Sequence, residues 1–154
     1  MKEKFIIRTV TVNDIDDFII LRRIMFESMD DAGDLLEKSL EIAKEYFLKT
    51  IPTGEFKGWI VDSLSKIGIA AGGLVIDQHP PTSGNFSGKQ GYVMNLVVIE
   101  EYRKQGIGKM IMETIIKWLK SQHVEKITLY GSDMGLSLYQ ELGFEQGTEM
   151  WKKI

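Results

Sequence analysis

Arg103, Lys104, Gln105, Gly106, Ile107, Gly108 and Lys109 lie between an apolar run at residues 92–99 and an amphipathic stretch at residues 107–120. Backbone N–H groups at a helix start lack intrahelical partners and carry partial positive charge, so such a turn suits a phosphate. Gly106 and Gly108 have no side chains, which lets a phosphate oxygen approach the main chain closely. Arg103, Lys104 and Lys109 add cationic groups around the same point. The spacing equally fits a plain strand-to-helix turn, with glycines that only permit the bend and basic residues that are solvated. Two other phosphate readings fail at particular positions. A Walker loop needs Ser or Thr after its Lys to hold magnesium, and Met110 follows Lys109. The dinucleotide fingerprint would begin at Gly106, but Ile111 stands where its third glycine belongs.

The elements around this turn follow from periodicity. Residues 5–10 read as a short strand. Thr11 or Asn13 is placed to cap a helix with Ile15, Phe18, Ile19, Met25 and Phe26 broadly on one side. A break at residues 30–33 precedes a second helix, with Leu36, Leu40, Ala43 and Phe47 at helical spacing and an end near Pro52. Strands are expected at 56–61 and 67–76, then a long loop over 77–91 of the kind that is functional or mobile. The run at 92–99 reads YVMNLVVI, a strand covered on both faces, with Asn95 its one polar interruption. A helix over 107–120 turns Ile111, Ile115, Trp118 and Leu119 inward. Residues 126–130 form a strand, Ser132 caps a short helix carrying Leu136, Tyr139 and Leu142, and Gly143 ends it. Residues 149–153 are expected to close the sheet as a last strand.

Bulk properties narrow the class. A chain of 154 residues is one domain, residues 1–154, by the ordinary length prior. A net charge of −3 argues against a nucleic-acid platform, which shows a basic excess. The absence of cysteine excludes disulfides, thiolate metal sites and cysteine nucleophiles, and two distant histidines give a metal site no support. His79 reads as a loop residue beside two prolines, His123 as a helix end cap, and Glu27, Asp30, Asp31, Glu55 and Asp77 as solvated charges. The start has too short an apolar run for a signal peptide, and no run approaches the length that spans a membrane, so a soluble cytoplasmic protein is expected.

Taken with this element order, the chain resembles the GCN5-related N-acetyltransferase (GNAT) superfamily. Arg103, Gly106 and Gly108 match the family pattern Q/R-x-x-G-x-G/A, and residues 138–144, LYQELGF, resemble its L-Y-x-x-x-G-F one helix and one strand later. The resemblance implies an α/β (α+β) fold with a mixed, mostly antiparallel central sheet flanked by helices. It implies that the central strand splays from its neighbour at a bulge, with the pantetheine arm of acetyl-CoA in the wedge lined by Leu96, Val97 and Val98. Arg103 through Lys109 would then hold the pyrophosphate, and Tyr139 would stand beside the thioester sulfur. Many relatives carry Asn where this chain has Ser132, so a cofactor contact there competes with a plain helix cap.

The activity so implied is transfer of an acetyl group from acetyl-CoA to an amine of a small molecule or peptide, by direct attack in a ternary complex and without a metal. The alternative is an acyl-CoA-binding sensor or interaction module without turnover; O-acylation and a homodimer stay open. A tyrosine of pKa about 10 is protonated at neutral pH and can donate to a thiolate whose parent thiol lies near about 8.5. That is the chemical case for Tyr139 as general acid, against packing on Phe144. Asn95 cannot accept a proton at neutral pH, but it can position a water or the amine, or form a bulge that satisfies its own amide. No general base is assigned. If the basic turn holds a diphosphate, CoA binds far better than pantetheine in a calorimetric titration, and salt narrows the difference. Equal affinities for the two ligands would leave the turn only a turn.

Overall fold

The computed structural model describes residues 3–31 and 33–154. Five strands form one sheet in sequential order: β1 (Ile6–Thr9), β2 (Phe56–Asp62), β3 (Ala70–Gln78), β4 (Lys89–Val98) and β5 (Lys126–Leu129). Every neighbouring pair is antiparallel except β4 and β5, which run parallel. Parallel neighbours need a crossover, and α3 (Ile107–Ser121) supplies it. The helices α1 (Ile15–Ser28), α2 (Leu36–Thr53) and α4 (Leu136–Glu141) complete the order.

Adjacent residues of a strand point to opposite faces, and two glycines of β3 identify the layers. A side chain at Gly72 would meet Ile111 and Ile115 of α3, whereas one at Gly73 would meet the ring of Phe56. Phe56 packs edge-on to Phe18 of α1 and Phe47 of α2, at centroid distances of 5.9 and 4.8 Å. Thus α3 covers one face and α1 with α2 the other. β4, between them, buries Gly91, Val93, Asn95 and Val97 and half-covers the residues between.

Thr11 caps the short 3-10 turn Val12–Asp14 that leads into α1, and α1 itself has no side-chain cap. The Thr11 hydroxyl accepts from the Asn13 N–H at 3.3 Å, and Asp14 accepts from the Thr11 N–H at 2.9 Å. Asp14 also meets Arg8 at 2.6 Å, and Arg8 meets Asp62 at 2.7 Å, which ties β1 to β2 and to the start of α1. Burial pushes the Asp14 carboxyl up, but the Thr11 N–H and the Arg8 guanidinium outweigh it and hold it below its ordinary value.

Two expectations need correction. The loop over 77–91 contracts to residues 79–88, because Asp77 and Gln78 pair with Gln90 and Lys89 as a hairpin. Buried Asn85 organises what remains: it exchanges main-chain hydrogen bonds with Thr82, and its side chain binds the Lys89 carbonyl at 2.9 Å. The closing strand over 149–153 does not form, and residues 144–154 lack regular structure. Alternation would put Glu149, Trp151 and Lys153 on one face and Met150, Lys152 and Ile154 on the other, so neither face could be buried. Among the described residues, no helix is long and apolar enough to cross a membrane.

The glycine of β3 that faces Phe56 gives a test of the packing. Gly73→Ala would place a Cβ 2.8 Å from the Phe56 Cε1 and 3.1 Å from the Lys57 carbonyl oxygen. Overpacking of this kind costs about 1–3 kcal/mol, a fall in melting temperature of about 2–10 °C at this chain length. Gly84→Ala, with nothing within 4 Å of the added carbon, is the control and should barely move it.

Candidate active site

The site starts from an irregularity in β4. Ala71 pairs with Val97 and Gly73 with Met94, so Asn95 and Leu96 together face the single residue Gly72. That is a β-bulge, and Asn95 accommodates it with φ of 60°, a left-handed conformation that Asn tolerates better than most residues. Before the bulge, β4 pairs with β5 from Gln90↔Lys126 to Val93↔Leu129; beyond it, β4 continues to Val98 without a β5 partner. The two strands therefore part at the bulge and leave a wedge.

Main-chain direction in the wedge can be read from the ladder. Ile99 donates to the Ile69 carbonyl at 3.0 Å, so its main chain faces the β3 side. Strand alternation then turns Val97 toward β3 as well, and turns Leu96 and Val98 toward the wedge. Of the three residues expected to line the wedge, Leu96 and Val98 present their main chain there; Val97 is engaged with Ala71. The Val98 carbonyl is in turn met by the Arg103 Nε at 3.0 Å.

Below the wedge lies the start of α3. Gly106 precedes the helix with φ of 80°, and no side chain caps the free N–H groups. A left-handed residue followed by a helical one turns successive N–H groups into a concavity that accepts an anion. Ile107 is buried and anchors the turn, whereas Lys104, Gln105 and Gly106 are exposed. Gly108 is tight for another reason as well: a Cβ there would stand 3.2 Å from Leu138 of α4. Of the three cations, Arg103 holds the Val98 carbonyl and Lys109 pairs with Glu141 at 2.8 Å. Lys104 meets no acid among the described residues.

α4 closes the far side. Gly143 takes φ of 88°, the Gly143 N–H donates to the Gln140 carbonyl and the Phe144 N–H to the Tyr139 carbonyl at 2.9 Å. This is a Schellman stop, so the glycine and phenylalanine of LYQELGF end the helix and lay Phe144 edge-on to Tyr139, at 5.9 Å. The buried Tyr139 ring covers Gly131 and Gly135, just past the end of β5, where the wedge opens. Its hydroxyl makes no hydrogen bond among the described residues, and burial raises its pKa. Ser132 is occupied as a cap, accepting from the Gly135 N–H at 3.2 Å. His123 takes the left-handed position in the stop of α3.

Asn95 is buried, and its side chain is only half satisfied. Its Oδ1 accepts from Arg22 of α1, while its Nδ2 has no partner. It sits in the bulge, one of the two readings open to it, but does not satisfy its own amide. Arg22 is the residue that sequence reasoning missed; the available signal was its place one turn from both Phe18 and Phe26, on the inward side of α1. No group of three or more acids and histidines that could hold a metal occurs among the described residues. A depression of about 400 Å³ lies at the far end of α3 beside His123 and Ile127, away from the bulge.

A sequence profile described as the acetyltransferase (GNAT) family matches residues 25–144. An N-alpha-acetyltransferase of Sulfurisphaera tokodaii is 24% identical over 148 residues, which is 94% of this chain and 82% of that protein. Human N-acetyltransferase 8B is 32% identical over 91 residues, or 57% of this chain, but the match spans only 38% of the human protein. A GCN5-related N-acetyltransferase from Ralstonia eutropha JMP134 superposes with a TM-score of 0.91 at 24% identity, covering 98% of this chain and 99% of that one. A predicted acetyltransferase from Clostridium acetobutylicum, solved with acetyl-CoA, gives 0.83 at 24% identity, covering 98% and 96%.

The left-handed turn yields the prediction for this site. Gly106→Ala meets no steric obstacle but forces a Cβ into a left-handed conformation, which costs about 1–2 kcal/mol. We expect a small fall in melting temperature together with at least a tenfold loss of CoA affinity by calorimetry. A variant with unchanged affinity would remove the turn from the binding site.

Proposed function

Because the chain belongs to the acetyltransferase (GNAT) family, we propose that it transfers an acetyl group from acetyl-CoA to the amine of a small molecule or peptide in a ternary complex. The observation that carries this reading is the wedge. One strand edge is left unpaired beyond the bulge, and it leads down to an uncapped helix start and up to a buried tyrosine. A diphosphate fits the free N–H groups of α3, and an amide-bearing arm fits the edge at Leu96 and Val98. The acetyl donor found with the Clostridium protein is consistent with this fit.

In this scheme acetyl-CoA supplies an activated acyl group, and the chain positions and protonates. The main-chain N–H of Leu96 faces the wedge and is the donor available to a carbonyl oxygen gaining negative charge. Tyr139 gives its proton to the departing sulfur. Burial disfavours the phenolate, so the hydroxyl stays protonated through neutral and mildly alkaline pH, as a general acid requires. Among the described residues, no carboxylate or histidine hydrogen-bonds to Asn95, so none is assigned as base. The acceptor then enters as the free amine or loses its proton to water, and an amine of pKa about 10.4 pays about 4–5 kcal/mol for this at pH 7. The rate should therefore rise with pH toward the amine's own pKa.

Tyr139→Phe keeps the ring over Gly135 and removes only the hydroxyl. The hydroxyl matters when sulfur leaves and contributes little to ground-state binding. Turnover should fall about 10²-fold, with CoA affinity and melting temperature nearly unchanged. Steady-state thiol release at saturating acetyl-CoA, with a pre-steady-state burst to detect limiting product release, decides it. Turnover within about threefold of the parent, in the range of experimental scatter for a group outside the chemistry, would hand proton transfer to water.

A further inference from the structure

α1 carries a cation that this scheme does not use. Arg22 is half-buried, with its guanidinium 4.9 Å from the ring centre of Phe26 and 5.8 Å from that of Phe47. A guanidinium has five N–H donors and stays charged. Among the described residues, the hydrogen bond that Arg22 makes is to the Asn95 Oδ1, and no carboxylate pairs with it. Its neighbour Arg23 is paired with Glu37, and Arg8 with Asp14 and Asp62. Burial pushes the Arg22 pKa down with no anion to offset it. Beside it the Asn95 Nδ2 is buried without an acceptor.

The region around the bulge therefore holds more donors than acceptors, and one donor carries a full charge. A partly desolvated cation without a counter-ion is costly to keep. The group that balances it best is a carboxylate, whose two oxygens match the guanidinium fork. Location restricts the source. Arg22 touches the residue immediately before Leu96, whose main chain faces the wedge, so an anion on Arg22 lies across β4 from the reacting end of the acyl arm. Resting on the acyl-CoA reading above, we propose that Arg22, seated on the Asn95 bulge, is the anion subsite of the acceptor pocket and that the acceptor is an amino acid, its amine attacking while its carboxylate is held by Arg22.

The test compares the common amino acids with their carboxamides as acceptors, by thiol release from acetyl-CoA, in the parent, Arg22→Met and Arg22→Lys. Methionine keeps much of the packing between the two rings, and melting temperatures check each fold. Amides carry the less basic amine and so offer more free base, hence any preference for the acids comes from recognition. The parent should favour at least one acid over its amide by about 10–100-fold in kcat/KM, the range of one charged hydrogen-bonded contact. Arg22→Met should bring that ratio close to one through the KM of the acid, and Arg22→Lys should keep part of it. The proposal falls if no acid is preferred, or if Arg22→Met slows acid and amide equally, since Arg22 then only holds the bulge. A CoA titration separates the two failures: binding of CoA without preference for acids overturns the subsite alone, whereas no binding overturns the acyl-CoA reading and the subsite with it.

Discussion

Two residues of β4 occupy the space of one opposite Gly72, and the strand absorbs the surplus by placing Asn95 at a φ of 60°. A left-handed residue within a strand bends it and increases its twist locally. The parallel ladder to β5 stops at Val93↔Leu129, and main-chain groups that a regular sheet would pair are left facing a wedge. Unpaired backbone groups are costly unless water or a ligand meets them. Arg103 takes the Val98 carbonyl, which leaves the Leu96 main chain as the open position nearest the bulge. In the proposed function the wedge, the uncapped start of α3 and the tyrosine of α4 act as one site, and that depends on the turn of β4 at Asn95.

The rest of the fold holds that turn in place from both faces. The run Ala70, Ala71, Gly72 and Gly73 gives β3 almost no side chains, so Ile111 and Ile115 close in from one side and Phe56 from the other. Phe18, Phe47 and Phe56 pack edge-on around the second contact and fix α1 over the sheet, which brings Arg22 to Asn95. On the far side, Gly108 lets Leu138 approach α3, and the Schellman stop at Gly143 sets the rotation of Tyr139. Two short sequence motifs thus have mechanical content beyond any ligand contact. One starts a helix without a cap, and the other stops a helix so that an aromatic pair closes.

Most of this was legible because it depends on local rules. The turns that lead into α1 and α4 followed from Thr11 and Ser132, the stop of α4 from Gly143, and the order of elements along the chain from the sequence of apolar runs. The bulge was expected from the family resemblance, and the lone polar Asn95 in YVMNLVVI was open to that reading or to positioning a water or the amine. What stayed hidden depends on partners distant in sequence. The hairpin through Asn85 looked like a long loop because its order comes from side-chain bonds to Lys89 and Ser87. The tail looked like a strand because Met150 and Trp151 are apolar, although their adjacency denies it a buried face. The diversion of Lys109 to Glu141 and of Arg103 to a carbonyl, and the approach of Arg22 to Asn95, span 32, 5 and 73 residues; only the second is within reach of a local pattern.

Amide hydrogen exchange, with and without CoA, tests most directly whether the unpaired edge created by the bulge is where the acyl carrier binds. In the free protein the wedge-facing amides of residues 94–98 and those of residues 106–109 lack strand or helix partners and should exchange quickly. CoA should slow both groups together and leave the paired amides of β2 and β3 unchanged. Protection confined to the helix start, with the wedge still open to exchange, would contradict the account.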